Sequence, residues 1–154
     1  MDKVAIMKIL VATDGTEAAI GAARKALEWF RNDPEILLVT VVQAYEDPME
    51  SAGGFEGPLL SAEEAEAEYQ QQLAEGQSAL DRTQAALGKP AQLRIIPASD
   101  DPGHAIVNIA NELHPDLIVL GSAPKGFFQR LLTGSASDYV VHHAPCPVLI
   151  VPHH

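Results

Sequence analysis

The chain has 154 residues, 47% of them hydrophobic and 20% charged, which suits one globular domain with a real core and excludes wholesale disorder. Its 21 acidic and 10 basic residues leave a formal charge of −11, a poor match for the basic surfaces that bind nucleic acid or anionic membranes. The single cysteine, Cys146, excludes an internal disulfide or a thiolate metal cluster within one chain.

Short β-branched runs alternate with helical patterns along the chain. Lys8-Ile9-Leu10-Val11-Ala12 reads as a first strand, ending in the turn signal Thr13-Asp14-Gly15-Thr16. Ile20, Ala23, Leu27 and Phe30 then form one apolar helix face, and Asn32-Asp33-Pro34 is the expected stop. Ile36 to Val42 is a second strand, apolar on both faces. The segment 48–60 reads as a mobile Gly/Pro-rich loop. Ser61-Ala62-Glu63-Glu64 opens a long helix with a capping-box-like start, its stripe being Tyr69, Leu73, Leu80 and Leu87. Leu93 to Ile96 is a third strand, and Asp101-Pro102 starts a helix with Ile106, Ile109, Ala110 and Leu113 inward. His114-Pro115 ends it. Leu117 to Leu120 is a fourth strand, Gly134-Ser135 starts a fourth helix that Pro145 stops, and Pro147 to Val151 is a fifth strand.

Strands apolar on both faces and joined by helices predict an α/β fold, a parallel five-stranded sheet covered on both sides. The doubly wound order 3-2-1-4-5 is expected, in a single domain over 1–154. That order sets strands one and four side by side with their chains leaving in opposite directions, the switch point where ligands bind in such folds. Its lips are Thr13, Asp14 and Gly15 on one side and Gly121, Ser122 and Ala123 on the other.

The segment from Gly121 to Ser137 offers small residues for close backbone approach to an anion, a helix N-terminus at Gly134-Ser135, and the cations Lys125 and Arg130. No carboxylate lies between Asp116 and Asp138, whereas ten acidic residues and no Lys or Arg lie from Glu46 to Asp81. Ser135 serves equally as a helix cap and the glycines as turn residues. Asp14 is placed to accept bonds from a ribose, or to close an Asx turn. Val41 is placed to meet a base through its backbone, or to pack in the core. Gly121 to Gly126 lacks the Lys-Ser/Thr that would complete a Walker A loop. His104 sits in a helix's first turn, where a metal site is the weaker reading, and Cys146 reads as a packed thiol. No catalytic base stands out at the switch point.

Four stretches together resemble the universal stress protein family: Lys8–Gly15, Leu37–Val42, Leu117–Ser122, and Leu131–Ser135 running on to His143–Val151. The resemblance spans essentially the whole chain. It implies an adenine-nucleotide-binding Rossmann-like fold, with ATP or AMP, and Mg²⁺ balancing the phosphates. The residues it points to are Ala12, Thr13, Asp14, Val41, Leu120, Gly121, Ser122, Gly134, Ser135 and Ala136. It also implies a stress-response or signalling switch, at most a slow ATPase, and a homodimer. Pairing through the edge strand Val148–Val151 would cover that edge. Pro124 stands where ATP-binding members carry a glycine, and proline has no N–H to give a phosphate. A nucleotide-independent interaction protein of the same fold is therefore the alternative reading. The N-terminus shows no apolar signal core, and the expected location is the cytoplasm.

Overall fold

A computed structural model describes residues 6–48, 61–99, 101–121 and 135–151. Its elements, in chain order, are β1 (Lys8–Ala12), α1 (Glu17–Leu27), β2 (Glu35–Gln43), α2 (Ala62–Leu87), β3 (Gln92–Ala98), α3 (Pro102–Leu113), β4 (Leu117–Gly121), α4 (Ser135–His143) and β5 (Val148–Val151). The five strands form one sheet in the order β3-β2-β1-β4-β5, and every pairing is parallel. The expected order is the observed one. The loop expected over 48–60 lies outside the described residues beyond Pro48.

Side chains that alternate along the strands divide the core into two layers. Ile9, Val11, Ile36, Leu38 and Val119 pack with Ala22, Ala23, Ala26 and Leu27 of α1 and Leu80 of α2. Leu10, Ala12, Leu37, Val39, Ile118 and Leu120 pack on the opposite face, with Ile106, Ile109 and Ala110 of α3 and Val140 of α4. The chain leaving β1 and the chain leaving β4 thus go to opposite faces, which makes the gap between them a true switch point.

Capping chemistry starts each of the first three helices as the sequence suggests. Thr16 caps α1, its hydroxyl accepting from Ala19 N–H at 3.2 Å. Ser61 caps α2 by accepting from Glu64 N–H at 3.1 Å, while its hydroxyl proton goes to the Glu64 carboxylate. Asp101 caps α3, accepting from Gly103 N–H at 2.8 Å, with Pro102 at the first helical position. α3 ends on His114 in the left-handed region, φ 51°, and the buried Pro115 bars any continuation.

α1 is shorter than its sequence pattern suggests. It ends at Leu27, not at Asn32-Asp33-Pro34. The next bonds tighten to three-residue spacing, Trp29 N–H to Ala26 O and Phe30 N–H to Leu27 O, both 3.2 Å. This turn brings Phe30 back against the α1–α2 layer. β3 is longer than expected, running from Gln92 through Pro97 to Ala98. As an edge strand it tolerates a proline whose missing N–H faces away from β2.

α2 crosses β2 at Gly76. A Cβ there would lie 3.1 Å from Val42 Cγ1 and 3.3 Å from Thr40 Cγ2. Above Gln72 the helix carries ten more residues, about 15 Å, none of them buried. Gly76→Leu is expected to cost about 1–3 kcal/mol by forcing the helix off the strand. Gly76→Ala should be much nearer neutral, because its helix-propensity gain of about 1 kcal/mol opposes a mild crowding. Urea denaturation of the two variants checks the difference.

Candidate functional site

The crevice is built on Thr13, the residue that ends β1. Its side chain is fully buried and its N–H donates to Val39 O at 2.9 Å, the last bond between β1 and β2. Its hydroxyl lies 2.9 Å from that of Thr83 on α2. Thr83 donates to Ala79 O at 2.8 Å, so the proton between the two hydroxyls comes from Thr13. Thr13 in turn accepts from Gly15 N–H at 3.0 Å. The result is a directed chain, Gly15 N–H to Thr13 to Thr83 to Ala79 O, with each hydroxyl donating once and accepting once. Nothing in the sequence pattern singled out Thr83. A polar residue on the inward stripe of an otherwise apolar helix face is the signal that was there to be read.

Gly15 has φ 78°, and a Cβ on it would fall 2.7 Å from Ala79 Cα. Glycine is demanded twice at this position, by the turn and by the backbone of α2. Across the crevice, a Cβ on Gly121 would lie 2.8 Å from Ala22 Cβ and 3.1 Å from Ala19 Cα. Gly121 therefore seats α1 against β4.

Asp14 closes an Asx turn: Oδ1 accepts from Thr16 N–H at 3.0 Å and from the Thr16 hydroxyl at 2.6 Å. Among the described residues, Oδ2 has no hydrogen-bond partner, and Asp14 is only half-buried. The two readings of Asp14 are compatible, since one oxygen holds the turn and the other is unbonded among the described residues. The side chains of Ala12 and Leu120 belong to the core.

Val41 lies on the part of β2 that outruns β1. Its side chain is buried. Successive strand residues point their peptide groups to alternate edges. Val39 faces β1, as its bond to Thr13 shows, and Val41 faces the same way. Beyond Thr13 there is no β1 to meet it. Among the described residues, neither its N–H nor its C=O is hydrogen-bonded. The next residue with this orientation, Gln43, gives its N–H to Gln72 Oε1 on α2 at 2.9 Å.

α4 starts at Ser135, in the crevice-lining part of the sequence. Ser122, Gly134, Lys125 and Arg130 lie outside the described residues, as do the side chains of Ser135 and Ala136. The His104 ring packs at a tilt against Tyr139, centroids 4.0 Å apart, and Tyr139 stacks on His143 at 4.2 Å. This three-ring cluster joins the start of α3 to α4. Burial, and secondarily the Asp116 carboxylate, push the Cys146 thiol above its ordinary value, so it stays protonated near neutral pH. Among the described residues, no three His, Cys, Asp or Glu side chains gather into a group able to hold a metal ion.

The model of the universal stress protein family matches residues 5–152. The chain belongs to the universal stress protein family. A universal stress protein of Methanocaldococcus jannaschii is 30% identical over 149 residues, covering 94% of this chain and 81% of the relative. The crystal structure of a family member from Burkholderia pseudomallei superposes with a TM-score of 0.68 at 26% identity, over 99% of this chain and 100% of that one. An Arabidopsis thaliana member, solved with AMP bound, gives a TM-score of 0.60 at 21% identity, over 96% and 92%. Two further solved family members of this fold are complexes with cAMP and with dAMP. Among the described residues, no helix is long and apolar enough to cross a membrane.

The hydroxyl chain gives a direct test of how the crevice floor is held. Thr83→Val leaves the Thr13 hydroxyl buried without an acceptor and is expected to cost about 1–3 kcal/mol. Thr83→Ser keeps the hydroxyl and should cost far less. Paired urea melts monitored by circular dichroism check both.

Proposed function

We propose that this family member binds an adenine nucleotide, ATP or AMP, at the switch-point crevice. The observation that carries the reading is that, among the described residues, the N–H and C=O of Val41 are unpaired and one oxygen of the Asp14 carboxylate is unbonded. Adenine presents a ring nitrogen acceptor beside an amino donor on one edge. A single strand residue with both peptide groups facing the ligand complements that edge. Guanine has the opposite polarity at the same two positions. Asp14 Oδ2 is suited to accept from a ribose hydroxyl, and a charge-assisted bond of this type is about twice as strong as a neutral one. The AMP, cAMP and dAMP complexes of family members support an adenosine ligand.

In this reading the phosphates meet the backbone of Gly121, Ser122, Gly134, Ser135 and Ala136 and the positive end of the α4 dipole. Mg²⁺, when bound, neutralises charge on the phosphates. Ala12, Thr13 and Leu120 shape the crevice floor. The protein works as a cytoplasmic stress-response switch in which nucleotide orders the 121–135 segment. Hydrolysis is at most slow in this reading, since the sequence shows no evident base or arginine finger at the switch point. Pro124 favours a second reading, an interaction protein that needs no nucleotide, since that position has no N–H to give.

The homodimer forms through β5 in the same proposal. β5 is one of the two edge strands of the sheet. Ile150 on it and Val141 on α4 are exposed apolar side chains, and antiparallel pairing with a second copy would cover that edge. Light scattering at micromolar concentration is expected to give a dimer mass, and Ile150→Lys a monomer. A monomeric parent protein would overturn this part.

Titration calorimetry with ATP, ADP and AMP, with and without Mg²⁺, tests the nucleotide site. Saturable binding is expected, weakened about tenfold or more in Asp14→Ala. Pro124→Gly should tighten ATP and leave AMP unchanged. No binding of any of the three at millimolar concentration would overturn the reading in favour of the interaction protein.

A further inference from the structure

Every second residue of β2 turns its peptide groups toward the β1 side of the strand. Glu35 N–H goes to Met7 O at 2.8 Å, Leu37 lies within the ladder, and Val39 O takes the Thr13 N–H. Among the described residues Val41 is unpaired, and Gln43 N–H is held by Gln72. The opposite edge of β2 is bonded to β3 as far as Ala44 N–H to Ala98 O at 2.9 Å. Among the described residues the crevice edge therefore has two fixed points, Thr13 and Gln72, with Val41 between them.

The Gln72 bond is not supplied by the sheet. It comes from a long side chain on α2, a helix anchored independently to β1 through Thr83 and Thr13 and to β2 through Gly76. We propose that Gln72 is a positioning residue that sets the base selectivity of the nucleotide site. This rests on the adenine reading of Val41 given above. By accepting the Gln43 N–H, Gln72 does two things. It keeps β2 extended past the end of β1, so that both Val41 peptide groups face the crevice. It also removes a second N–H donor from the crevice edge, about 6.6 Å along the strand. A purine with a 6-oxo group carries an acceptor where adenine carries an amino donor. Such a base gains from any added N–H and loses against the Val41 C=O. One donor and one acceptor, both from Val41, favour the 6-amino base. Two donors would narrow the preference.

The test compares AMP and IMP binding by calorimetry in the parent protein, Gln72→Met and Gln72→Glu. Methionine keeps the length without the acceptor, and glutamate keeps an acceptor oxygen. In Gln72→Met the preference for AMP over IMP is expected to fall about fivefold, the worth of one ordinary hydrogen bond. Gln72→Glu should restore it. Backbone amide exchange gives a second readout. In the parent protein without ligand, the Gln43 amide should be protected and the Val41 amide should exchange freely. AMP should then protect Val41. An unchanged AMP/IMP ratio in a folded Gln72→Met, or no recovery with glutamate, overturns the proposal while leaving the adenine site standing. Should Gln72→Met fail to fold, the parent protein decides: a Gln43 amide exchanging as fast as an exposed one overturns it. A parent protein that binds AMP nowhere overturns the adenine reading and this inference together.

Discussion

The buried hydroxyl of Thr13 ties together the parts of the molecule that make the crevice. One atom takes the Gly15 N–H, which sets the turn into α1, and gives its proton to Thr83, which fixes α2. The backbone of the same residue ends the β1–β2 ladder at Val39. Because a buried hydroxyl without partners is costly, the turn and the helix cannot shift independently. The strand must stop where the turn begins, and β2 must run on without it. The open peptide groups of Val41 follow from that mismatch of strand lengths, with no special feature at Val41 itself.

Much of this was legible in the residues. The β/α alternation and the two-sided apolar runs of Ile36–Val42 and Leu117–Leu120 lead directly to the doubly wound sheet, and Ser61, Thr16 and Asp101 announce their helices. Element ends were less legible, because they depend on tertiary demands. α1 ends at Leu27 and tightens into a three-residue turn that still packs Phe30 against the core, so the apolar spacing alone does not mark the helix end. Asp14 and Val41 were legible as positions at the crevice but not in their state. Whether a carboxylate oxygen or a peptide group is already bonded depends on Thr16, β1 and α2, which lie at quite different distances along the chain. Gln72 was invisible for that reason, an ordinary polar residue on a long helix until the strand it faces is known, whereas Thr83 left one trace, its place on the inward stripe.

Charge and shape contribute separately. Ten of the chain's carboxylates lie from Glu46 to Asp81, and the first ten residues of α2, four of them glutamates, have no buried side chain. The stretch between Asp116 and Asp138 has none. An overall charge of −11 is thus compatible with an anionic ligand, because the field near a site depends on which charges stand near it and not on their sum.

The glycines of the crevice show that a binding motif and a packing motif share residues here. Gly121 opens the segment that the proposed nucleotide site assigns to the phosphates, yet α1 already requires it: Ala19 and Ala22 occupy the space where its Cβ would stand. Gly15 is required in the same way by Ala79. A member that bound no nucleotide would still need glycine at both positions to keep its helices against the sheet. Their presence is therefore evidence for the fold and is neutral about the ligand. What bears on the ligand is the chemistry that packing does not explain, and in the described residues that is the unbonded oxygen of Asp14 and the unpaired peptide groups of Val41. Among the described residues, neither makes a hydrogen bond that holds the fold. Buried peptide N–H and C=O groups need a partner, and a ligand that meets those of Val41 must offer an acceptor to the N–H and a donor to the C=O.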